Sequence, residues 1–139
     1  MTVRKLKPVT PAQRFTVVNG FDAITVSKPE KSLLRFLKKT GGRNNYGHLT
    51  SRRKGGGHKR KYRIIDFKRN IRDVAASVER IEYDPNRSAH IALIKYKEGD
   101  HAYIICPQDL KKGDEILSSA KTDINIGNCL ELRNMPTDT

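Results

Sequence analysis

Hydrophobic residues in the second half of the chain are grouped into short runs, and polar residues typical of turns separate one run from the next. The runs are rich in β-branched and aromatic residues, and their length is that of strands rather than helices. The pattern predicts five short strands: Tyr62–Lys68, Ala75–Tyr83, Ala89–Lys97, Ala102–Cys106 and Asp114–Ser118.

The connections between these runs have the chemistry of tight turns. In Asp84–Arg87, Pro85 takes the second position of a type I turn. Glu98–Asp100 and Lys112–Asp114 each carry a central glycine, which suits a hairpin or a tight turn. The third run is apolar on both faces, as expected where a small sheet curls over itself. The pattern predicts a mainly β fold, either a five-stranded Greek-key barrel or a sandwich.

One segment before the strands has the signals of a helix. Ser27 and Glu30 have the spacing of a capping box, and Pro29 lies in the first turn. Three leucines then share one helical face, and a glycine pair at 41–42 follows as a stop signal. The pattern predicts one short amphipathic helix at residues 28–39.

The excess of positive over negative charge lies entirely in residues 1–70. Residues 1–40 carry a net charge of +7, residues 41–70 carry +9 and residues 71–139 carry −3, for a total of +13. The basic, proline-interrupted start (1–26) predicts an extended arm with one short strand at Phe15–Val18. This asymmetry favours an acidic, extended partner, nucleic acid above all. An anionic membrane is the second reading, and a device for solubility is a weak third.

Residues 41–61 are the most unusual part of the chain. They hold six of the ten glycines, seven lysines or arginines and no acid. Such a segment buries too little apolar surface to offset the entropy of ordering, so we expect it to be disordered alone. Phosphate binding changes this balance by releasing condensed counterions, and glycine lets bare amides approach a phosphate closely. A flexible charged linker is the alternative, but the interleaved Asn, His, Thr and Ser residues favour a binding segment.

No pattern in the sequence predicts an enzyme, a metal site or a cofactor. Cys106 and Cys129 lack the spacing of a zinc site, and Cys106 is expected to be a small core residue. The glycine spacing of Gly42–Gly47 resembles a Walker loop, but His48-Leu49 replaces its required Lys-Ser/Thr. Asp66 is expected to form a structural ion pair with Arg63 or Lys68 rather than to act in catalysis. The four histidines are scattered, and no apolar run is long enough for a membrane span.

Four motifs in unbroken order resemble the N-terminal half of the universal large-subunit ribosomal protein number two, most closely its bacterial and organellar members. They are Gly41-Gly-Arg-Asn44, Arg53-Lys-Gly-Gly-Gly-His-Lys59, Tyr62-Arg-Ile-Ile-Asp-Phe-Lys-Arg69 and Glu82-Tyr-Asp-Pro-Asn-Arg-Ser-Ala89. The resemblance implies a basic extension, then an oligonucleotide-binding (OB) barrel, then an SH3-like barrel. It also implies direct binding of large-subunit ribosomal RNA, a role in assembly, support of the peptidyl-transferase region, and contacts with other large-subunit ribosomal proteins.

The resemblance sets the expected domain limits. They are a basic RNA-binding extension at 1–61, an OB-like barrel at 62–119 and the start of an SH3-like domain at 120–139. The family's histidine linked to peptidyl transfer has no counterpart in this chain. We therefore expect either a domain of a longer protein or a divided gene, with a second polypeptide supplying the remainder. The expected location is the large subunit of a ribosome in the mitochondrial matrix or the bacterial cytoplasm.

The expected RNA contacts come from the glycine-rich segment and the strand after it. Tyr46 and Tyr62 are candidates for base stacking, although Tyr62 is equally suited to packing in the barrel. The alternative function is a free-standing nucleic-acid-binding OB module or a translation factor. The candidate RNA-binding residues are Arg43, Asn44, His48, Arg52, Arg53, Lys54, Gly55, Gly56, Gly57, His58, Lys59, Arg60, Lys61, Tyr62, Arg63, Lys68 and Arg69.

Overall fold

Residues 3–137 are described by a computed structural model, in which regular structure is almost entirely β. The predicted limits 1–61 and 120–139 reach residues 1, 2, 138 and 139, which lie outside the described residues. The strands are β1 (Val3–Lys5), β2 (Val17–Asn19), β3 (Leu34–Phe36), β4 (Lys61–Arg63), β5 (Ala76–Glu82), β6 (Ile91–Tyr96), β7 (His101–Ile105) and β8 (Glu115–Ile116). Two single-turn 3₁₀ helices lie at Pro11–Gln13 and Leu132–Asn134.

The central unit is an antiparallel sheet with the strand order β7-β6-β5-β8. Four of the five predicted strands are confirmed as its members, and the turn residues between them fall where the sequence predicts. The first predicted strand is strand only as far as Arg63, and it pairs with β3 in a separate two-stranded ladder. The five-stranded barrel therefore stays a prediction, while the mainly β class is confirmed.

Both faces of β6 are buried, so the sheet has a core on each side. Ala92 and Ile94 lie in the larger cluster, while Ile91 and Leu93 lie in a second cluster on the opposite face. All four are at most 1% exposed. Ile65, from outside the sheet, helps to cover the second cluster. The sheet itself curls into a half-barrel, which is consistent with an OB-like fold.

A β-bulge in β5 sets which side chains reach each core. The register shifts between Val78 and Arg80, so that Val78 faces Ile94 whereas Arg80 faces Leu93 across the strand pair. Without the extra residue, Arg80 would point into the larger apolar cluster. The bulge instead places Arg80 and Glu82 on the second face.

The predicted helix at 28–39 is wrong, because these residues contribute a strand to tertiary pairing. Leu34 pairs with Arg63, and Leu33 packs on the second core cluster. The amide of Glu30, which a capping box would use locally, donates instead to the Tyr103 hydroxyl at 2.7 Å. Tertiary partners thus outcompete the local helical signals.

The first residues form a hairpin rather than an arm with one strand. β1 and β2 pair antiparallel, with Val3 opposite Asn19. Farther along, Thr25 covers the part of the β5 edge that β8 leaves unpaired, since its amide donates to the Ile81 carbonyl at 3.0 Å and its hydroxyl accepts from the Ile81 amide at 3.0 Å. This cover protects a sheet edge that would otherwise be free to pair.

The residues after β8 fold back onto the sheet. Ser118 and Cys129 form a parallel bridge, and the Leu117 amide donates to the Asn128 side chain at 2.8 Å. Gly127 lies so close to the core that a Cβ there would be 2.7 Å from Ile116 Cγ2. That residues 120–139 begin a second, SH3-like domain stays a prediction.

A buried polar network joins the Glu30 segment to the sheet. The Tyr103 hydroxyl accepts from the Glu30 amide and donates to Glu82, both at 2.7 Å. Arg80 donates to Glu82 at 2.7 Å and to Glu30 at 3.1 Å. Burial raises the pKa of the Tyr103 hydroxyl, which therefore remains a protonated donor. Every buried carboxylate oxygen of Glu82 thus has a donor, as a buried charge requires.

Replacement of Tyr103 by Phe tests this network. Removing the hydroxyl leaves the Glu30 amide without its acceptor and Glu82 without one donor, so we expect the free energy of unfolding to fall by about 2–3 kcal/mol. Tyr96→Phe is the matched control, because Tyr96 is also buried but makes no side-chain hydrogen bond among residues 3–137. Its effect should stay below about 1 kcal/mol in urea titrations. Equal losses in the two variants would show that the network adds no stability.

Replacement of Gly127 by Ala tests the packing of the C-terminal segment. Gly127 and Gly99 both have left-handed backbones, at φ +94° and +98°, but nothing lies within 4 Å of a Cβ at Gly99. Gly99→Ala should cost about 1–2 kcal/mol from backbone conformation alone. Gly127→Ala should cost about 1–3 kcal/mol more, because the new methyl group overpacks the core at Ile116. Equal losses in urea titrations would mean that the segment does not pack as described.

Candidate nucleic-acid interface

The glycine-rich segment is the connection between β3 and β4, and this ladder holds its two ends together. Arg35 lies opposite Tyr62, and Phe36 lies opposite Lys61 at the mouth of the loop. We call residues 37–60 the cationic loop. Pairing of β3 with β4 offsets the entropy lost on closing the loop. The loop therefore projects from a fixed base and is not a free tail.

The first half of the cationic loop folds into a small hairpin around Gly42. The Gly42 carbonyl accepts from the amides of Thr50 and Ser51 at 2.9 and 3.1 Å, and Arg43 bridges Leu49. Gly42 has φ +77°, and a Cβ there would lie 2.1 Å from the Ser51 carbonyl oxygen. Only glycine fits this close approach of two backbones.

Asn44 closes the tip of this hairpin. Its side-chain oxygen accepts from the amides of Tyr46 and His48, both at 3.0 Å. This Asx-type turn leaves Tyr46 outside, with 80% of its surface exposed. Asn44 therefore shapes the tip with its side-chain oxygen, and the exposed ring of Tyr46 is the group that the turn presents.

The second half of the cationic loop lines an open cavity of about 550 Å³. The residues that line it are Gly41–Gly42 and Gly55–Gly57, together with Lys39, Thr40 and Lys54. Lys39 also donates to the His58 carbonyl at 3.4 Å, which joins the two sides. The cavity thus combines glycines, which have no side chains to obstruct an approach, with the positive charge of two lysines.

Most of the candidate RNA-binding residues are exposed, and three are not. Tyr62 and Arg69 are half-buried, and Arg63 is only 8% exposed. Arg63 donates to the Lys61 carbonyl at 2.9 Å, and Arg69 donates to the Gly127 carbonyl. These two guanidinium groups thus contact the protein itself. The exposed candidates are Arg43, Asn44, His48, Arg52, Arg53, Lys54, Gly55, Gly56, Gly57, His58, Lys59, Arg60, Lys61 and Lys68.

The expected ion pair of Asp66 is also corrected. Its carboxylate accepts from the backbone amides of Lys68 and Arg69, at 3.2 and 2.8 Å, and pairs with no cation among residues 3–137. Its own amide donates to the Tyr103 carbonyl at 2.8 Å. Asp66 therefore shapes the turn after β4, and the prediction of a structural rather than a catalytic role agrees with these contacts.

The turn at Asp84–Arg87, which the sequence predicts only as a connection between strands, also contacts the base of the cationic loop. Arg87 donates to Asp84 at 2.6 Å, and the Asn86 side chain donates to the Lys61 carbonyl at 2.9 Å. The Arg87 guanidinium lies over the rings of Tyr62 and Phe67. These residues belong to two of the motifs quoted above, but nothing in the spacing of those motifs indicates that they meet.

Residues 3–137 contain no group of three or more His, Cys, Asp or Glu side chains placed to hold a metal ion. None of their helices has the length and apolar character that crossing a bilayer needs. Burial raises the pKa of the Cys106 thiol, which suits its position beside the larger core cluster.

Comparison with protein families matches the part of the chain that carries this interface. The family model described as "Ribosomal Proteins L2, RNA binding N-terminal domain" matches residues 30–118. The match begins at Glu30, in the buried network, and ends after β8, so it contains both the cationic loop and the half-barrel. Proteins of this family are generally structural rather than enzymatic. The chain therefore belongs to the ribosomal protein L2 family of the large ribosomal subunit, which it matches across the N-terminal domain.

Proposed function

We propose that this chain is a structural constituent of the large ribosomal subunit that binds large-subunit ribosomal RNA through the cationic loop. The observation that carries the proposal is a glycine-rich loop without a single acidic residue, held at both ends by the β3–β4 ladder. From the family membership we further propose a role in subunit assembly and in support of the peptidyl-transferase region. The proposal applies to the large subunit of a bacterial or organellar ribosome.

The chemistry of the loop favours RNA over other anionic partners. Exposed arginines such as Arg52 and Arg53 can bind phosphate in bidentate fashion, and lysines add point charges. His48 and His58 are exposed among them and offer directional hydrogen bonds that a uniform anionic surface does not need. Folded RNA supplies phosphates, hydroxyls and bases at fixed positions, which matches such a mixture.

The cavity between Gly41–Gly42 and Gly55–Gly57 is the proposed site of one backbone phosphate. Lys39 and Lys54 would neutralise its charge, and the glycine amides would donate to its oxygens. The absence of side chains at these glycines leaves the approach open. Arg63 and Arg69 are proposed to support the base of the loop, because their guanidinium groups already have protein partners.

The half-barrel is proposed to be completed into a five-stranded OB barrel by the segment that follows β4. Ile65 forms a parallel bridge with Tyr103 on the free edge of β7, which supports this closure. The barrel at 62–119 would then serve as the rigid mount, and the residues before it as the RNA-binding extension. A rigid mount lowers the entropy lost when the loop binds.

The salt dependence of RNA binding tests the role of the loop. If about six cations meet phosphate, the affinity for large-subunit ribosomal RNA should fall by about 10³-fold or more between about 50 and 200 mM salt. The double variant Arg52→Gln/Lys54→Gln should reduce the slope of log affinity against log salt by about 1.5, since each lost contact removes about 0.7–0.9.

The matched control is the double variant Lys97→Gln/Lys112→Gln. Each double variant removes two positive charges. The four side chains involved, those of Arg52, Lys54, Lys97 and Lys112, are all exposed, and none has a hydrogen bond or ion pair among residues 3–137. The control should keep the slope of the unaltered chain in filter-binding titrations. Equal slopes in both double variants would show that net charge, rather than the cationic loop, accounts for binding.

Retention on ribosomes distinguishes a structural constituent from a cycling factor. A constituent threaded into folded RNA should remain on large subunits pelleted through about 0.5 M salt, because its many phosphate contacts are shielded from the solvent. A translation factor of the same fold would be released. Release of the chain from purified large subunits under these conditions would contradict the proposal, and sedimentation followed by immunoblotting measures it.

A further inference from the structure

Tyr62, Phe67 and Arg87 form a group at the base of the cationic loop, hereafter the stacking cluster. The guanidinium carbon of Arg87 lies over both rings, 5.9 Å from each centroid. Tyr62 is half-buried, whereas 65% of the surface of Phe67 is exposed. Phe67 is therefore the most solvent-exposed member of the cluster, and Tyr62 and Arg87 are both half-buried.

Arg87 is fixed by contacts on its far side. Its Nε donates at 2.6 Å to Asp84, whose side chain is fully buried. Burial is the largest single influence and acts to lower the pKa of Arg87, but the hydrogen bonds and charge interactions with Asp84 and Tyr62 together raise the pKa above its ordinary value. Asn86 ties the same turn to the Lys61 carbonyl at 2.9 Å. The guanidinium is thus a permanent charge held in one place.

Phe67 is also held in place, although it is exposed. Ile65 points into the second core cluster, and Asp66 closes the following turn through the amides of Lys68 and Arg69. An exposed Phe is unremarkable by itself, and Phe15 is exposed to 91%. Phe67 differs because it has a guanidinium over its ring and lies on a backbone fixed on both sides.

We infer that the stacking cluster binds an unpaired RNA base against the open surface of Phe67, with Arg87 adding cation–π and electrostatic attraction. A base has a π-face whatever its identity, and stacking on aromatic or arginine side chains is a common mode of binding unpaired RNA. Exposed Lys61 and Lys68 flank the cluster and suit the phosphates on either side of such a base. A protein partner fits this surface less well, because it would have to place acidic residues opposite the charges of Lys61, Lys68 and Arg87. The inference rests on the proposed RNA-binding function.

Binding of two short RNAs to Phe67 variants of the full 139-residue chain tests the inference. The probes are a 12-nucleotide single strand with a central 2-aminopurine (about the length that one OB-sized site covers) and a duplex of equal length. Phe67→Ala should weaken single-strand binding about 5- to 150-fold, the range for stacking of one base on an aromatic side chain, and leave duplex binding unchanged. The quenching of 2-aminopurine fluorescence that stacking causes should be lost with it.

Three further variants separate stacking from general effects. Phe67→Tyr keeps the π-face and should restore both affinity and quenching, whereas Phe67→Leu keeps apolar area and should not. Phe15→Ala removes a more exposed Phe that has no ring or cation contact among residues 3–137, and should behave as the unaltered chain. Arg52→Gln/Lys54→Gln should weaken binding to both RNAs, because it removes phosphate contacts.

The outcomes distinguish failure of this inference from failure of the proposed function. If the unaltered chain binds neither RNA, both fail. If it binds RNA and Phe67→Ala retains single-strand affinity and quenching, the inference alone is overturned. If Phe67→Ala binds both RNAs normally but is lost from salt-washed large subunits, the cluster is a protein contact and the inference is likewise overturned.

Discussion

Tyr103 is the residue on which the mounting of the cationic loop depends. Its ring lies in the second core cluster, its hydroxyl is shared between the Glu30 amide and Glu82, and its carbonyl accepts from the Asp66 amide. Glu30 precedes β3 and Asp66 follows β4, so one buried residue holds the two segments that flank the loop, one through its hydroxyl and the other through its backbone carbonyl. Fixing both flanks before RNA is present removes much of the chain entropy that binding would otherwise cost.

This arrangement explains how charge and packing are divided along the sequence. The cationic loop gains little from burial, and its exposed lysines and arginines repel one another until phosphate neutralises them. The net-negative second half supplies the apolar clusters and the ordered backbone. Within the loop, the hydrogen bonds gather at Gly42, whose carbonyl accepts from two amides, and at Asn44, whose side-chain oxygen accepts from two more.

The sequence predicted the features that depend on neighbouring residues and missed those that depend on distant ones. Strands β5 to β8 were predictable because hydrophobic runs and turn residues are local signals. The helix at 28–39 was wrong because the capping box and leucine spacing are also local, while the Tyr103 hydroxyl and the partner strand of Leu34 lie far along the chain. Arg63 looks like an RNA contact by residue type, and only the fold reveals that it is buried.

In the proposed function, the cationic loop and the stacking cluster would meet two different requirements of RNA binding. Phosphate contacts are nearly the same on any RNA, so charge alone gives affinity without distinguishing a helix from a loop. An exposed ring binds only where a base has left its helix, because paired bases are already stacked. Phe67 lies seven residues after the loop ends and is joined to Lys61 through Arg87 and Asn86. A base bound there would therefore fix the register in which the loop meets the surrounding phosphates, which turns a general attraction for RNA into attachment at one place.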